Sequence, residues 1–183
     1  MVLQASNNIK DYFQHTTLTH IPGEPNYETL AQLQKEVRAN GRSVPCSLGG
    51  VNQGHLGIVT STSTYARINP ETIFDCPTTH PAPLPQINGA TQYHIQNAIR
   101  QYDEYVRKFN LCNLVELTVI QKINAAVNYK YLEDLIDPDT GILTGTVPTI
   151  LHTLFISYGD IAAQSLAQKK YTSKKSRTLT QTH

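Results

Sequence analysis

The sequence predicts a mainly α-helical fold, and three observations carry the prediction. Apolar residues recur at steps of three and four from Ile95 to Val127, with neither Pro nor Gly among them. Helix-capping residues (Asn26, Thr146, Asp160) stand immediately before apolar-periodic runs. Gly and Pro collect between those runs, in 42–59 and 77–85.

The elements follow in chain order. Residues 1–20 are polar, with Asn7-Asn8 and repeated threonines and no apolar period, so 1–24 reads as a flexible N-terminal arm and 1–20 as poorly ordered. Asn26 caps a first helix over 27–40, carrying Leu30, Leu33, Gln34 and Val37 at helical spacing and ending at Asn40-Gly41. Pro45, Gly49-Gly50, Gly54 and Gly57 make 42–59 a loop or a small β-hairpin, and any strand belongs in 44–60. A short helix follows within 60–68. The four prolines at 77, 81, 83 and 85 exclude helix and central strand, leaving an extended strap or linker that closes the segment 25–90.

Residues 91–168 read as a helical domain. The 91–127 run is one long helix kinked near Asn110–Asn113, or two helices in close succession. Tyr129 to Ile136 makes a short helix, and Asp137-Pro138-Asp139-Thr140-Gly141 is a turn. Thr146 caps a helix with Pro148 in its first turn, followed by Ile150, Leu151, Leu154, Phe155 and Tyr158 and stopped by Gly159. Asp160 caps a last helix that runs out into a basic tail, 169–183.

Composition bounds the chemistry. The 183 residues suffice for a core that hides roughly 70% of the unfolded chain's surface. Charged residues make up 16%, against the usual ~25%, as suits a surface that packs against copies of itself. The net charge of +1 hides five cations after residue 160, so the first 160 residues carry −4. Neither a signal-peptide core nor a membrane-spanning run occurs, which predicts a soluble protein of the cytoplasm or nucleus without membrane partners.

Catalytic constellations are missing. Cys46, Cys76 and Cys112 are odd in number and far apart in sequence, forming neither a disulfide framework nor a C-x-x-C metal pair, and no two of the seven histidines stand four apart. His55 and Cys46 share one loop region and are the first candidates for any catalysis; Cys112 reads as ordinary packing. Asp103-Glu104 and Glu133-Asp134 are adjacent, so on a helix their side chains diverge by about 100° and face no common substrate. Gly49 to Gly57 lacks the Lys and Ser or Thr of a phosphate loop and reads as a structural turn. No enzyme, cofactor, metal or small-molecule substrate is therefore expected. The stripe Ile99, Tyr102, Val106 and Phe109 is core or subunit contact, with Tyr102 and Tyr105 on neighbouring faces as candidates for self-association. Lys169, Lys170, Lys174, Lys175 and Arg177, with Tyr171 among them, are candidates for nucleic-acid contact, able to neutralise about five phosphates.

Several ordered motifs together resemble one protein family. They run from Pro25-Asn26-Tyr27-Glu28-Thr29-Leu30 through Ser43-Val44-Pro45 and Leu48-Gly49-Gly50 to Gly54-His55-Leu56-Gly57-Ile58-Val59. After His80-Pro81-Ala82-Pro83-Leu84-Pro85 and the helix from Thr91 to Glu116, they resume at Tyr131-Leu132-Glu133-Asp134-Leu135, Asp137-Pro138, Thr140-Gly141, Gly145-Thr146, Ile150-Leu151, Leu154-Phe155 and Tyr158-Gly159. Over about residues 25–165 this resembles the capsid-like region of Gag from copia-type LTR retrotransposons of algae and other microbial eukaryotes. One departure is that Val51 and Gln53 stand where the family more often has Gly and His, so a role needing a His pair there does not carry over.

The resemblance implies a helical capsid-like domain that self-assembles into a virus-like particle around the element's RNA. A zinc knuckle and protease, integrase and reverse-transcriptase signatures are absent from these residues, which implies a Gag fragment or a Gag-only product. The alternative is a small nucleic-acid-binding module acting through the basic tail without self-assembly.

Overall fold

The computed structural model describes residues 9–49, 52–84, 89 and 91–159. The protein is mainly α-helical; among the described residues there is no strand, and one isolated β-bridge joins Ile136 and Leu143.

Helix α1 spans Tyr27–Ser43. Its start is a reciprocal cap: the Thr29 N–H donates to Asn26 Oδ1 at 3.0 Å and the Asn26 N–H donates to Thr29 Oγ1 at 2.9 Å. Leu30, Leu33 and Val37 share its inner face and are wholly buried. The helix passes Gly41 instead of stopping there. Gly41 lies against Val59 and the His55 carbonyl, where a Cβ would crowd, so this glycine permits close packing and caps nothing. Termination comes at Val44, extended at φ −83° and ψ 115° ahead of Pro45.

The N-terminal segment corrects the expectation of a flexible arm over 1–24 with disorder over 1–20. From residue 9 onward it is built into the core: Ile9–Tyr12 forms a 3-10 turn, and Ile9, Phe13, Leu18 and Ile21 are buried. Its backbone is held at long range. The Thr19 N–H and hydroxyl donate to the Glu36 carboxylate at 2.7 and 2.6 Å, His15 and Asn40 exchange two bonds at 2.7 and 2.9 Å, and the Ile21 N–H donates to the Ala126 carbonyl at 2.8 Å. These partners satisfy an irregular chain that no local period could have announced. Residues 1–8 lie outside the described residues.

Among the described residues of 44–60 there is no hairpin. The segment turns through Gly54, at φ +49°, into the short helix α2, Leu56–Val59. Helix α3, Thr62–Ile68, falls where a short helix was expected, capped by Ser61. Beyond it the chain runs without helix or strand to residue 84, tied by the Asp75 N–H to the Leu48 carbonyl at 3.2 Å and by Phe74 against Tyr65, ring centroids 5.5 Å apart.

Helix α4, Gln92–Ala126, is a single element of 35 residues, without the break considered near Asn110–Asn113. Val115, Val119 and Ile123 insert its second half against α1, α2 and helix α5, Val147–Leu154. One cluster thus takes residues from 9–24, 25–90 and 91–159 alike. The short helix expected over 129–136 is two 3-10 turns, Tyr129–Tyr131 and Glu133–Leu135, around the buried Leu132. Asp137 organises the turn after them, its Oδ1 accepting from the Asp139 and Thr140 N–H groups and the Thr140 hydroxyl, with Gly141 at φ +67°. Thr146 caps α5 with Pro148 in the first turn, and a π-turn over Phe155–Gly159 follows. The expected last helix lies outside the described residues. Among the described residues no helix is long and apolar enough to cross a membrane.

Candidate functional site

The two halves of α4 differ. From Gln92 to Leu111 no residue is buried; Cys112 is the first that is. This unburied half is about 30 Å long at 1.5 Å per residue. It nonetheless carries Ile95, Ala98, Tyr102, Val106 and Phe109 on one stripe, flanked by Ile99, 45% exposed, and Tyr105, 40% exposed. Tyr102 is half-buried at the centre of the stripe. The charges Arg100, Glu104 and Arg107 occupy the opposite face, where Lys108 holds Glu104 at 2.9 Å.

The described part of the glycine loop is closely packed. His55 is buried, its Nδ1 lies 3.0 Å from the Val44 carbonyl, and burial pulls its pKa down even against that bond. A neutral ring must then donate through Nδ1, which leaves Nε2 as a buried acceptor without a partner. Gly57 has the Phe74 ring pressed against its Cα, so a side chain cannot fit. Among the described residues no hydrogen bond links His55 with Cys46, whose Sγ accepts the Leu48 N–H at 3.2 Å and whose thiol pKa burial pushes up. The two candidates for catalysis do not form a nucleophile and base.

The fold unites cysteines that the sequence separates. Cys112, on α4, hydrogen-bonds Cys76 of the segment after α3; that bond is the main reason why the Cys76 thiol pKa is lowered and the Cys112 thiol pKa raised, while the charge of Cys46 bears on Cys112 and that of Cys76 on Cys46. Their spacing carried no signal of this. Among the described residues no group of three or more His, Cys, Asp or Glu could hold a metal ion. Asp103 and Glu104 are exposed helix residues, and Lys169, Lys170, Lys174, Lys175 and Arg177 lie outside the described residues.

A second surface went unremarked in the sequence, although its period is visible there. Lys35, Arg38 and Arg42 stand at i, i+3 and i+7 on one face of α1. Arg38 sits between two cavities of about 660 and 610 Å³, and among the described residues no Asp or Glu lines either. Comparison of the chain with protein-family models, with curated proteins and with solved structures finds no match.

Proposed function

We propose that the chain is a structural protein that works by self-association: a capsid-like Gag subunit whose copies pack through the first half of α4 into a particle around the element's RNA. The particles would stand in the cytoplasm or nucleus. The observation that supports this reading most is the apolar stripe from Ile95 to Phe109 on a half-helix with no buried residue.

A second copy suits that stripe because its pattern reads nearly the same in both directions about Tyr102. In an antiparallel pair on a two-fold axis there, Ile95 meets Phe109, Ala98 meets Val106, Ile99 meets Tyr105, and Tyr102 meets its own copy. Flanking positions His94, Gln96, Gln101 and Asn110 are uncharged; Asp103 is the one acidic residue beside them, and in the antiparallel pair it stands opposite the uncharged Gln101 of the other copy. The low overall charge fits repeated small contacts, and the basic residues after 168 would collect RNA by many tails acting together.

Tyr102→Glu and Tyr105→Glu, made separately, test the reading by circular dichroism and by sedimentation with RNA present. Both variants should keep their helicity and lose the large particles, because a solvated site tolerates a carboxylate and a buried contact does not. Two folded variants that sediment like the parent would clear this helix of the role. A parent that stays monomeric or dimeric under every condition would end the capsid reading.

A further inference from the structure

We infer that the groove along α1 is a second contact for single-stranded nucleic acid, in which phosphates lie on Lys35, Arg38, Arg42 and Arg67 and a base stacks at Tyr27. The proposal rests on the reading of RNA as partner, and moves part of that contact from the tail to the folded body.

The argument begins with an orphan. Arg38 Nε is buried with no acceptor, and among the described residues no ion pair or hydrogen bond is formed by the rest of its guanidinium. A buried donor on a permanent cation is costly to leave unmade, and such a group calls for a partner, an anion being the one that also answers its charge. Arg67 of α3 aggravates the position, since its charge bears on Arg38 and, after burial itself, helps to depress the Arg38 pKa. Four of the body's cations gather here although residues 1–160 carry a net −4, and among the described residues no carboxylate lines the two cavities. The neighbouring Glu36 illustrates this: it points to the other side of α1 and is engaged by Thr19.

The groove is long as well as cationic. Tyr27, Ala31, Gln34, Arg38 and Arg42 follow steps of four and three along one face, about 23 Å at 1.5 Å per residue. At its far end the 660 Å³ cavity is walled by Tyr27 and Phe155, whose ring centroids are 6.0 Å apart at 67°, and by the hydroxyl residues Ser61, Thr64 and Thr149. Tyr27 is 55% exposed, an open aromatic face for a base. A row of cations leading to an aromatic recess is the arrangement that holds an unpaired strand, whose bases can swing out; a duplex keeps its bases stacked and cannot fill the recess. An acidic peptide would meet the cations with its carboxylates but would need an aromatic or apolar side chain spaced to reach the recess, whereas every nucleotide of a strand carries both a phosphate and a base.

The test uses the full chain and a labelled oligouridylate, with fluorescence anisotropy followed against salt. Arg38→Gln should weaken binding about three- to tenfold and flatten the log–log salt slope by about 0.7, the single-strand value for one phosphate contact. The variant with Lys35→Gln, Arg38→Gln and Arg42→Gln should flatten it by about 2. Tyr27→Ala should weaken binding with the slope unchanged. Removing an unpartnered cation should leave the Arg38→Gln chain at least as heat-stable as the parent; if it fails to fold, Lys35→Gln with Arg42→Gln, both exposed positions, carries the same slope test. Parental slopes in these variants would overturn the inference. So would equal competition by polyglutamate, which would make this an acidic-peptide site, or by uridine monophosphate at equal phosphate concentration, which would make it a mononucleotide pocket. Sedimentation of the parent and the same variants, with RNA and without it, separates the two proposals: loss of slope in variants of a parent that assembles under neither condition upholds the groove and ends the capsid reading, while assembly with an unchanged slope does the reverse.

Discussion

Gly54 is the position where one added methyl group should cost most. Its φ of +49° is left-handed, which costs an L-residue roughly 1–2 kcal/mol. A Cβ there would stand 2.5 Å from the Val44 carbonyl oxygen and closer still to that of Arg42, both backbone atoms with no rotamer by which to move aside. Overpacking of this kind typically costs about 1–3 kcal/mol. Any shift of Val44 also strains the 3.0 Å contact with His55 Nδ1, with about 1 kcal/mol at stake. Gly54→Ala should therefore destabilise the fold by about 2–5 kcal/mol, a large part of the ~5–15 kcal/mol that holds a native domain. Gly141→Ala is the control: its φ is +67°, yet nothing lies within 4 Å of the added Cβ, so only the backbone cost of about 1 kcal/mol remains. Urea unfolding at constant m-value measures both. A Gly54 variant no less stable than the Gly141 variant would refute the view that this loop is closed by backbone contact.

Glu36→Gln should lower stability at neutral pH but not in acid. Burial alone would raise the Glu36 pKa, yet the Thr19 hydroxyl and N–H, Gln32 and His15 together carry it below its ordinary value. Its contribution is then complete above the unfolded value of about 4.3 and is lost as pH falls through the lower folded value, so the gap between parent and variant should close there; a gap constant to lower pH would refute it. Removal of residues 169–183 should weaken RNA binding and flatten its salt slope without changing the melting temperature, and an unchanged affinity and slope would release the tail from that role. Amide hydrogen exchange should find Val115–Ala126 protected to nearly the global unfolding free energy and Gln92–Phe109 far less, with protection of the latter rising as copies associate. Uniform protection along α4 at low concentration would contradict the division of that helix.

What could be read in advance was what local chemistry writes locally. Asn26 and Thr146 begin helices because their side chains cap neighbours three residues on, and Asp137 to Gly141 turns because Asp137 bonds its own near backbone. The apolar period of 91–127 needs no knowledge of a partner. The N-terminal segment was misread because its groups are answered at a distance: Thr19 by Glu36, 17 residues away, and His15 by Asn40, 25 away. Leu56, Ile58 and Val59 suit a strand or a helix equally in so short a run, and the tertiary contact of Gly57 with Phe74 accompanies the helical outcome. The meeting of Cys76 with Cys112 and the isolation of Arg38 are likewise products of topology. The cationic row on α1 was legible by period, but its want of carboxylates becomes evident only when Glu36 is seen to face the other way.

Length and burial together explain how folding and assembly would be coupled. An isolated helix of about 12–15 residues is marginal in water, and most helical stability in proteins comes from packing an apolar face. The second half of α4 has that packing in Val115, Val119 and Ile123; the first has a Thr91 cap, the surface pairs Glu104–Lys108 and Asn97–Arg100, and an edge contact of Phe109 with His80 at its inner end. Its helicity is propagated from the embedded half, which supplies the nucleus that an isolated segment would have to form for itself. On the proposed reading, a second copy would bury the stripe and strengthen the helix in one event, so part of the association free energy would appear as protection of this segment. The groove on α1 belongs to a different element and presents cations in place of aliphatic groups, so a strand lying there would leave the α4 stripe free for a neighbouring copy. RNA would then raise the local concentration of subunits without occupying the surface by which they meet, which is the condition under which many weak contacts add to a stable particle.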